Sequence, residues 1–248
     1  MFLNIEKIST DKKKFIEDVK FAFDSLLEYN KDKSLMDKKF NVILGSTVYT
    51  FKIFSEIIES SYNNSILGRV GIRVIIEIYI ILKYLIKKEE EDSDLWEKYQ
   101  NYGLDKYKLI LLKSREYNNL SEDSHIVEPF IDLLVNEELS EDFRDVDFKY
   151  FDKKNIRLKS EDVGEKELYG VYYEYGSNYA HGLWGAVRES SMVKCFNSAH
   201  KHYAVPDTKF AQNSPPVYHD AIMMFDKILD LLNSLYPLPS WFIEEYGV

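Results

Sequence analysis

The longest apolar stretch of this 248-residue chain, from Val70 to Leu85, constrains the fold more than any other feature. Three charged residues interrupt it: Arg73, Glu77 and Lys83. With these charges the stretch is too short and too polar to span a membrane. A helix that is apolar on nearly all sides is typical of the centre of a soluble bundle. We therefore predict a central bundle helix here and no association with a membrane.

Helical spacing of apolar residues recurs through most of the chain, whereas the alternation typical of strands is nearly absent. With 10 Gly and 6 Pro, the composition also suits long helices. The fold class is therefore predicted to be all-α, a multi-helix bundle in a single domain over residues 1–248. Residues 137–163 are acidic, aromatic and poorly periodic, so we expect an irregular or mobile insertion there. The helices are predicted over approximately residues 10–30, 38–61, 66–90, 92–115, 124–136, 164–190 and 217–236.

Charge, cysteine content and missing motifs exclude several classes of function. The net charge of −10 argues against a broad electrostatic surface for nucleic acid, although a local basic cleft stays open. A single cysteine, Cys195, excludes an intrachain disulfide framework and a multi-cysteine zinc site. The first residues contain no apolar core of a secretion signal, so we expect a cytoplasmic protein. Walker, Gly-x-Gly-x-x-Gly and His-Glu-x-x-His motifs are absent, and we predict neither a metal nor a cofactor.

The first signature is a set of charges on the central helix. Arg69, Arg73 and Glu77 are each four residues apart and therefore share one face, near which Tyr84 also falls. A charged pair in an apolar helix costs free energy unless it is paired. One interpretation is a buried ion pair that fixes the helix register. The other is an Arg73 that holds a phosphate or carboxylate while Glu77 orients it.

The second signature is a polar run at residues 175–182. Ser177 and His181 are four apart, and Asn178 and Arg188 are expected near the same side of the helix. His181 could act as a general acid or base beside an arginine that holds an anion. Ser177 is not flanked by the Gly-x-Ser-x-Gly motif that surrounds many serine nucleophiles. His181 could also be a core residue with a structural role. Three glycines leave little bulk, so a helix or a ligand could approach the backbone: Gly176, Gly182 and Gly185.

The two signatures together resemble an uncharacterised family of bacterial helical proteins, over about residues 40–190. The family combines an Arg-x-x-x-Glu helix with a later Ser-x-x-x-His helix. More distantly, the layout resembles the HEPN superfamily of helical bundles, many of which are metal-independent ribonucleases in toxin and antiphage systems. The HEPN hallmark places Arg before His on one helix near a dimer interface, whereas here His181 precedes Arg188. The residues that carry the resemblance are Arg73, Glu77, Tyr84, Leu85, Tyr173, Ser177, His181 and Gly182.

The resemblance implies an HEPN-like bundle that cleaves RNA or handles a nucleotide ligand in bacterial defence. His181 would then be the general acid or base, and Arg73 and Arg188 would hold the phosphate. The alternative is a non-enzymatic interaction or sensor subunit in which the Arg–Glu–His cluster is structural, so whether the chain is an enzyme stays open. A protein partner and a homo-oligomer are also expected. The remaining site candidates are Glu77, Ser177, Tyr84, Arg69 and Asn178.

Overall fold

The structure, a computed structural model, describes residues 3–31, 37–59, 63, 65–117, 124–136, 150–195, 197, 199, 204–208 and 215–247. These residues form an all-α bundle with one small hairpin, which confirms the predicted fold class. The helices are α1 (Ile5–Thr10), α2 (Lys12–Tyr29), α3 (Lys38–Glu59), α4 (Ile66–Lys88), α5 (Leu95–Tyr117), α6 (Glu128–Asn136), α7 (Ile156–Asp162), α8 (Lys166–Leu168), a π-helical turn (Tyr169–Tyr173), α9 (Glu174–Ala180), α10 (Trp184–Ser191), α11 (Tyr218–Leu235) and α12 (Ser240–Tyr246). The antiparallel strands are β1 (Met192–Lys194) and β2 (Ala204–Pro206).

Side-chain caps fix where several helices begin. Ser65 accepts a hydrogen bond from the Gly68 N–H at 3.1 Å and starts α4. Asp11 does the same for α2, by accepting from the Lys14 N–H at 2.9 Å. Each such cap satisfies a backbone donor that the helix cannot, and its loss typically costs about 1 kcal/mol.

Helix α4 lies at the centre of the bundle, as its sequence predicts. Ile75, Ile76 and Ile80 are fully buried, and the helix packs against α3, α7, α9 and α11. Gly71 allows the close approach of α3, because an added Cβ would lie 2.9 Å from Ile53 Cγ2. Apolar burial along this contact, at about 25 cal/mol per Å², stabilises the core.

Aromatic side chains connect the helices that surround α4. The rings of Phe54 on α3 and Phe225 on α11 stack with centroids 4.5 Å apart. Phe15 on α2 meets Phe54 edge to face at 6.1 Å. Such pairs contribute about 0.5–1.5 kcal/mol beyond their buried area. They connect α3 to α2 and α11, and both α3 and α11 pack against α4.

Helices α5 and α6 form a hairpin with a small apolar cluster of its own. Leu111, Ile131 and Val135 are buried there, apart from the main core. Of the predicted insertion, residues 137–149 lie outside the described residues. Residues 150–163, the rest of the predicted insertion, are described and include α7, whose Asn155 cap accepts from the Leu158 N–H at 2.9 Å.

The predicted continuous helix over residues 164–190 is wrong, because the chain leaves the helix after Ala180. Gly182 has a φ of 58°, a conformation that glycine adopts without steric cost. Its N–H donates to Tyr179 O at 3.2 Å, and the Leu183 N–H donates to Asn178 O at 2.9 Å. This pair of bonds is the Schellman pattern that ends helices.

None of the helices in the described part of the chain is long and apolar enough to cross a membrane.

Candidate functional site

Helices α4 and α9 cross in close contact at Gly176. An added Cβ there would lie 2.7 Å from Arg73 Cβ and 3.1 Å from the Arg69 carbonyl oxygen. The close approach expected from the glycines is therefore found at this position. Gly182 and Gly185 differ, since an added Cβ at either would meet nothing within 4 Å.

The Arg73 guanidinium joins the two signatures at this crossing. Its Nε–H donates to Ser177 Oγ at 2.9 Å, and Nη2–H donates to the Tyr173 hydroxyl at 2.8 Å. Nη1 lies 3.3 Å from Glu77 Oε2. The Tyr173 hydroxyl in turn donates to Glu77 Oε2 at 3.4 Å. We call these four residues, Arg73, Glu77, Tyr173 and Ser177, the Arg73 network.

The Arg73 network is partly buried and electrically balanced. The Arg73 side chain is 18% exposed and the Glu77 side chain 35% exposed. Burial raises the pKa of Tyr173, and the neighbouring Glu77 raises it further while Arg73 opposes both. The hydroxyl therefore stays protonated at neutral pH and continues to donate to Glu77. Since one positive and one negative charge cancel, the network presents no net charge to an incoming anion.

Arg69 is buried one turn before Arg73 and holds three elements together. Its Nη1–H donates to Ser65 O at 3.1 Å, and Nη2–H donates to Pro215 O at 2.8 Å. The guanidinium carbon lies 5.2 Å from the centre of the Tyr179 ring. Within the described residues Arg69 Nε has no hydrogen-bond partner. These contacts connect the start of α4 to α9 and to the segment that enters α11.

His181 lies outside the Arg73 network. It is the exposed residue that ends α9, and its backbone N–H donates to Ser177 O at 3.0 Å. Its side chain makes no hydrogen bond to the described part of the chain. Arg188 is exposed on α10, beyond the break at Gly182, so it does not share a helix face with His181 as predicted. Asn178 bonds locally, with Nδ2–H donating to Glu174 O at 2.7 Å.

Tyr84 contacts a different cluster, farther along α4. It lies roughly 10 Å beyond Glu77 along the helix axis, at 1.5 Å per residue. The buried Lys159 of α7 has its Nζ 5.1 Å from the Tyr84 ring centre and 2.5 Å from Asp152 Oδ1. Burial raises the pKa of Tyr84, and Asp152 adds to the shift. Burial lowers the pKa of Lys159, against the opposing effect of Asp152.

The π-helical turn beside the Arg73 network was missed by the sequence analysis. It comes directly before α9, and the rings of Tyr169 and Tyr173 at its two ends stack with centroids 4.8 Å apart. Single π-turns occur frequently at functional sites. No apolar periodicity marks this one, because the run from Tyr169 to Tyr175 is nearly all tyrosine and glycine. Tyr173, the last residue of the turn, contacts Arg73.

Large apolar side chains are exposed on the π-helical turn, on α9 and at the start of α10. Trp184 is 65% exposed, which is unusual for a tryptophan. The Tyr175 hydroxyl donates to Glu189 Oε1 at 2.6 Å and so links α9 to α10. We call the set the Trp184 surface; it comprises Val171, Tyr172, Tyr175, Leu183 and Trp184. This surface was not predicted, because one unbroken helix was expected over residues 164–190.

A family model described as a family of unknown function, DUF5677, matches residues 40–200. The chain belongs to this family. The expected membership of an uncharacterised family is thereby confirmed, and the more distant HEPN resemblance stays a prediction. The DUF5677 match includes the Arg73 network, His181 and the Trp184 surface, but not α2 or α11. No curated protein and no solved structure matches the chain.

Proposed function

We propose that this DUF5677 chain is a non-enzymatic interaction subunit whose contact surface is the Trp184 surface. The observation that carries the proposal is the state of Arg73, each of whose three guanidinium nitrogens already has a protein partner. A phosphate at Arg73 would have to compete with the Glu77 carboxylate, which lies 3.3 Å from Nη1. The network therefore suits a structural role, which is to hold α9 against α4.

The Trp184 surface has the composition of a protein interface. Trp, Tyr and Arg are the residues that most often dominate binding energy at interfaces. Exposed charged residues of both signs lie on α9 and α10, which are Arg188 on one hand and Glu174 and Glu189 on the other. In a symmetric dimer the same surface meets itself, so cations of one copy can face acids of the other. We therefore propose a second copy of this chain as the partner.

Sedimentation velocity on purified protein tests this proposal. The expected result is a dimer that Trp184→Ala converts to monomer. Tyr49→Ala is the matched control, since Tyr49 is also exposed but lies on α3. A monomeric parent protein, or a dimer unaffected by Trp184→Ala, would contradict the proposal.

A second candidate function is metal-independent RNA cleavage, or binding of a nucleotide ligand, in bacterial defence. The specific observation in its favour is His181, whose side chain is exposed and has no hydrogen-bond partner among the described residues. Exposed rings such as Trp184 and Tyr175 could stack on bases. His181 would be the general acid or base and Arg188 the phosphate contact, while Arg73, Glu77 and Ser177 would only position α9.

The test of this candidate is incubation of total RNA with the protein in excess chelator. Degradation by the parent protein that His181→Ala abolishes would support RNA cleavage. Intact RNA with the parent protein would exclude nuclease activity. Equal degradation by His181→Ala would exclude His181 as the general acid or base.

A further inference from the structure

A cavity lies at the opposite end of the bundle from Arg69. It is about 430 Å³, partly open, and bounded by the last turn of α2 and by the segment that joins α11 to α12. Along α11, the distance from Asp220 beside Arg69 to Leu235 at the cavity is about 22 Å, at 1.5 Å per residue. The lining residues fall outside residues 40–200, so the family match does not include them. The volume falls within the range of about 300–1,000 Å³ typical of small-molecule sites.

A buried amide supplies an unused hydrogen-bond acceptor in this cavity. Asn30 ends α2 and is 6% exposed. Its Nδ2–H donates to Leu26 O at 2.9 Å, while Oδ1 accepts no hydrogen bond from the described part of the chain. This oxygen is therefore available to accept a hydrogen bond from a ligand N–H.

Tyr236 also lines the cavity and carries a hydroxyl that can donate a hydrogen bond. Its ring is held edge to face against Phe40, with centroids 4.9 Å apart. Burial raises the pKa of Tyr236 to about 12, with Asp37 and Glu89 adding to the shift. The hydroxyl is therefore protonated at neutral pH, and it makes no hydrogen bond within the described residues.

The remaining walls are flat and uncharged. Tyr29, Pro237 and Pro239 line the cavity, and rings of this kind stack well on planar ligands. No charged side chain is among the described lining residues. An anion would lose hydration there without gaining a counter-ion, since the charged groups that act on Tyr236 are the carboxylates of Asp37 and Glu89.

We propose that this cavity binds a small, uncharged heteroaromatic molecule, with a ring N–H donated to Asn30 Oδ1 and an acceptor facing the Tyr236 hydroxyl. A nucleobase has this chemistry: it is planar and neutral, and it carries donors and acceptors on its edge. The site is independent of the Trp184 surface, so the chain combines an interaction surface with a separate small-molecule pocket.

NMR titration of the full chain with adenine, uracil and adenosine monophosphate tests the proposal. We expect saturable shifts for at least one free base, and weaker binding of the monophosphate than of adenine. Ser25→Phe fills the cavity and should weaken binding at least about tenfold, or 1.4 kcal/mol. Ser234→Phe is the matched control, because Ser234 is exposed on α11 and does not line the cavity.

Three results would overturn the proposal. They are the absence of shifts with both bases, unchanged affinity in Ser25→Phe, and tighter binding of the monophosphate than of adenine. Since none of these readouts depends on association between copies, a failure here is distinguishable from a failure of the proposed interaction surface.

Discussion

Arg73 Nε donates a hydrogen bond to Ser177 Oγ across 2.9 Å, and this bond joins side chains that are 104 residues apart in the sequence. Around it, Glu77 and Tyr173 complete a network in which each charged or polar group has a partner on the facing helix or one turn away. The charges of α4 are thereby compensated by α9 and the adjoining π-turn, and α9 is fixed in place.

Removal of the Glu77 carboxylate should destabilise the protein moderately. Glu77→Ala leaves Arg73 without its counter-charge, which in a fully buried pair costs about 3–5 kcal/mol. Because Glu77 is 35% exposed, water can replace part of the interaction, and we expect roughly 1–2 kcal/mol. Urea unfolding measures the change, with the exposed Glu17→Ala on α2 as the control. Equal stability of both variants would mean that the pair contributes nothing.

Substitution of Gly176 should be far more costly than that of Gly185. In Gly176→Ala the new methyl would lie 2.7 Å from Arg73 Cβ, and overpacking of this kind costs about 1–3 kcal/mol. Gly185 lies in α10 with nothing within 4 Å, so Gly185→Ala should be neutral or stabilise by about 0.5–1 kcal/mol. Thermal unfolding of the two variants distinguishes them. A destabilised Gly185→Ala beside an unaffected Gly176→Ala would refute the helix crossing.

His181→Ala should leave the fold intact. The side chain is exposed and without a partner in the described residues, and such substitutions change stability by no more than about 0.5 kcal/mol. Differential scanning calorimetry checks this. A decrease of several degrees in Tm would instead indicate that His181 is a core residue with a structural role.

The free energy of unfolding should decrease at alkaline pH because the Tyr236 hydroxyl is buried. Its pKa is raised from 10.0 to about 12 on folding, chiefly by burial. As pH rises, the unfolded chain therefore loses this proton before the folded protein does. Tyr236 does not change the free energy of unfolding below pH 10, and it lowers that free energy as pH rises toward 12. Tyr236→Phe removes this titration, so the unfolding free energy of the parent should fall relative to that of the variant as pH rises from 10 to 12. A difference independent of pH would contradict the assigned burial.

Much of the fold follows from the sequence because apolar spacing decides which helix faces are buried. The central position of α4 was predicted from Val70 to Leu85 and is confirmed. A charged pair in an apolar helix needs a polar partner. The Tyr173 hydroxyl is such a partner for Glu77.

Other parts of the site depend on backbone geometry that residue spacing does not encode. Gly182 is compatible with a helix, so its left-handed conformation, which leaves His181 exposed, could not be anticipated. Tyr84 has the same helical phase as Glu77, but the part of α4 that carries it packs on α7 instead of α9. Only the tertiary arrangement decides which neighbour each turn of a central helix meets.

A double-mutant cycle on Arg73 and Ser177 tests the central claim most directly. The unfolding free energies of Arg73→Met, Ser177→Ala and the double variant give the coupling between the two side chains. Contact across 2.9 Å predicts a coupling of about 1 kcal/mol, within the range measured for residues that share a network. Additive effects, with a coupling near zero, would contradict the claim that this network joins α4 to α9.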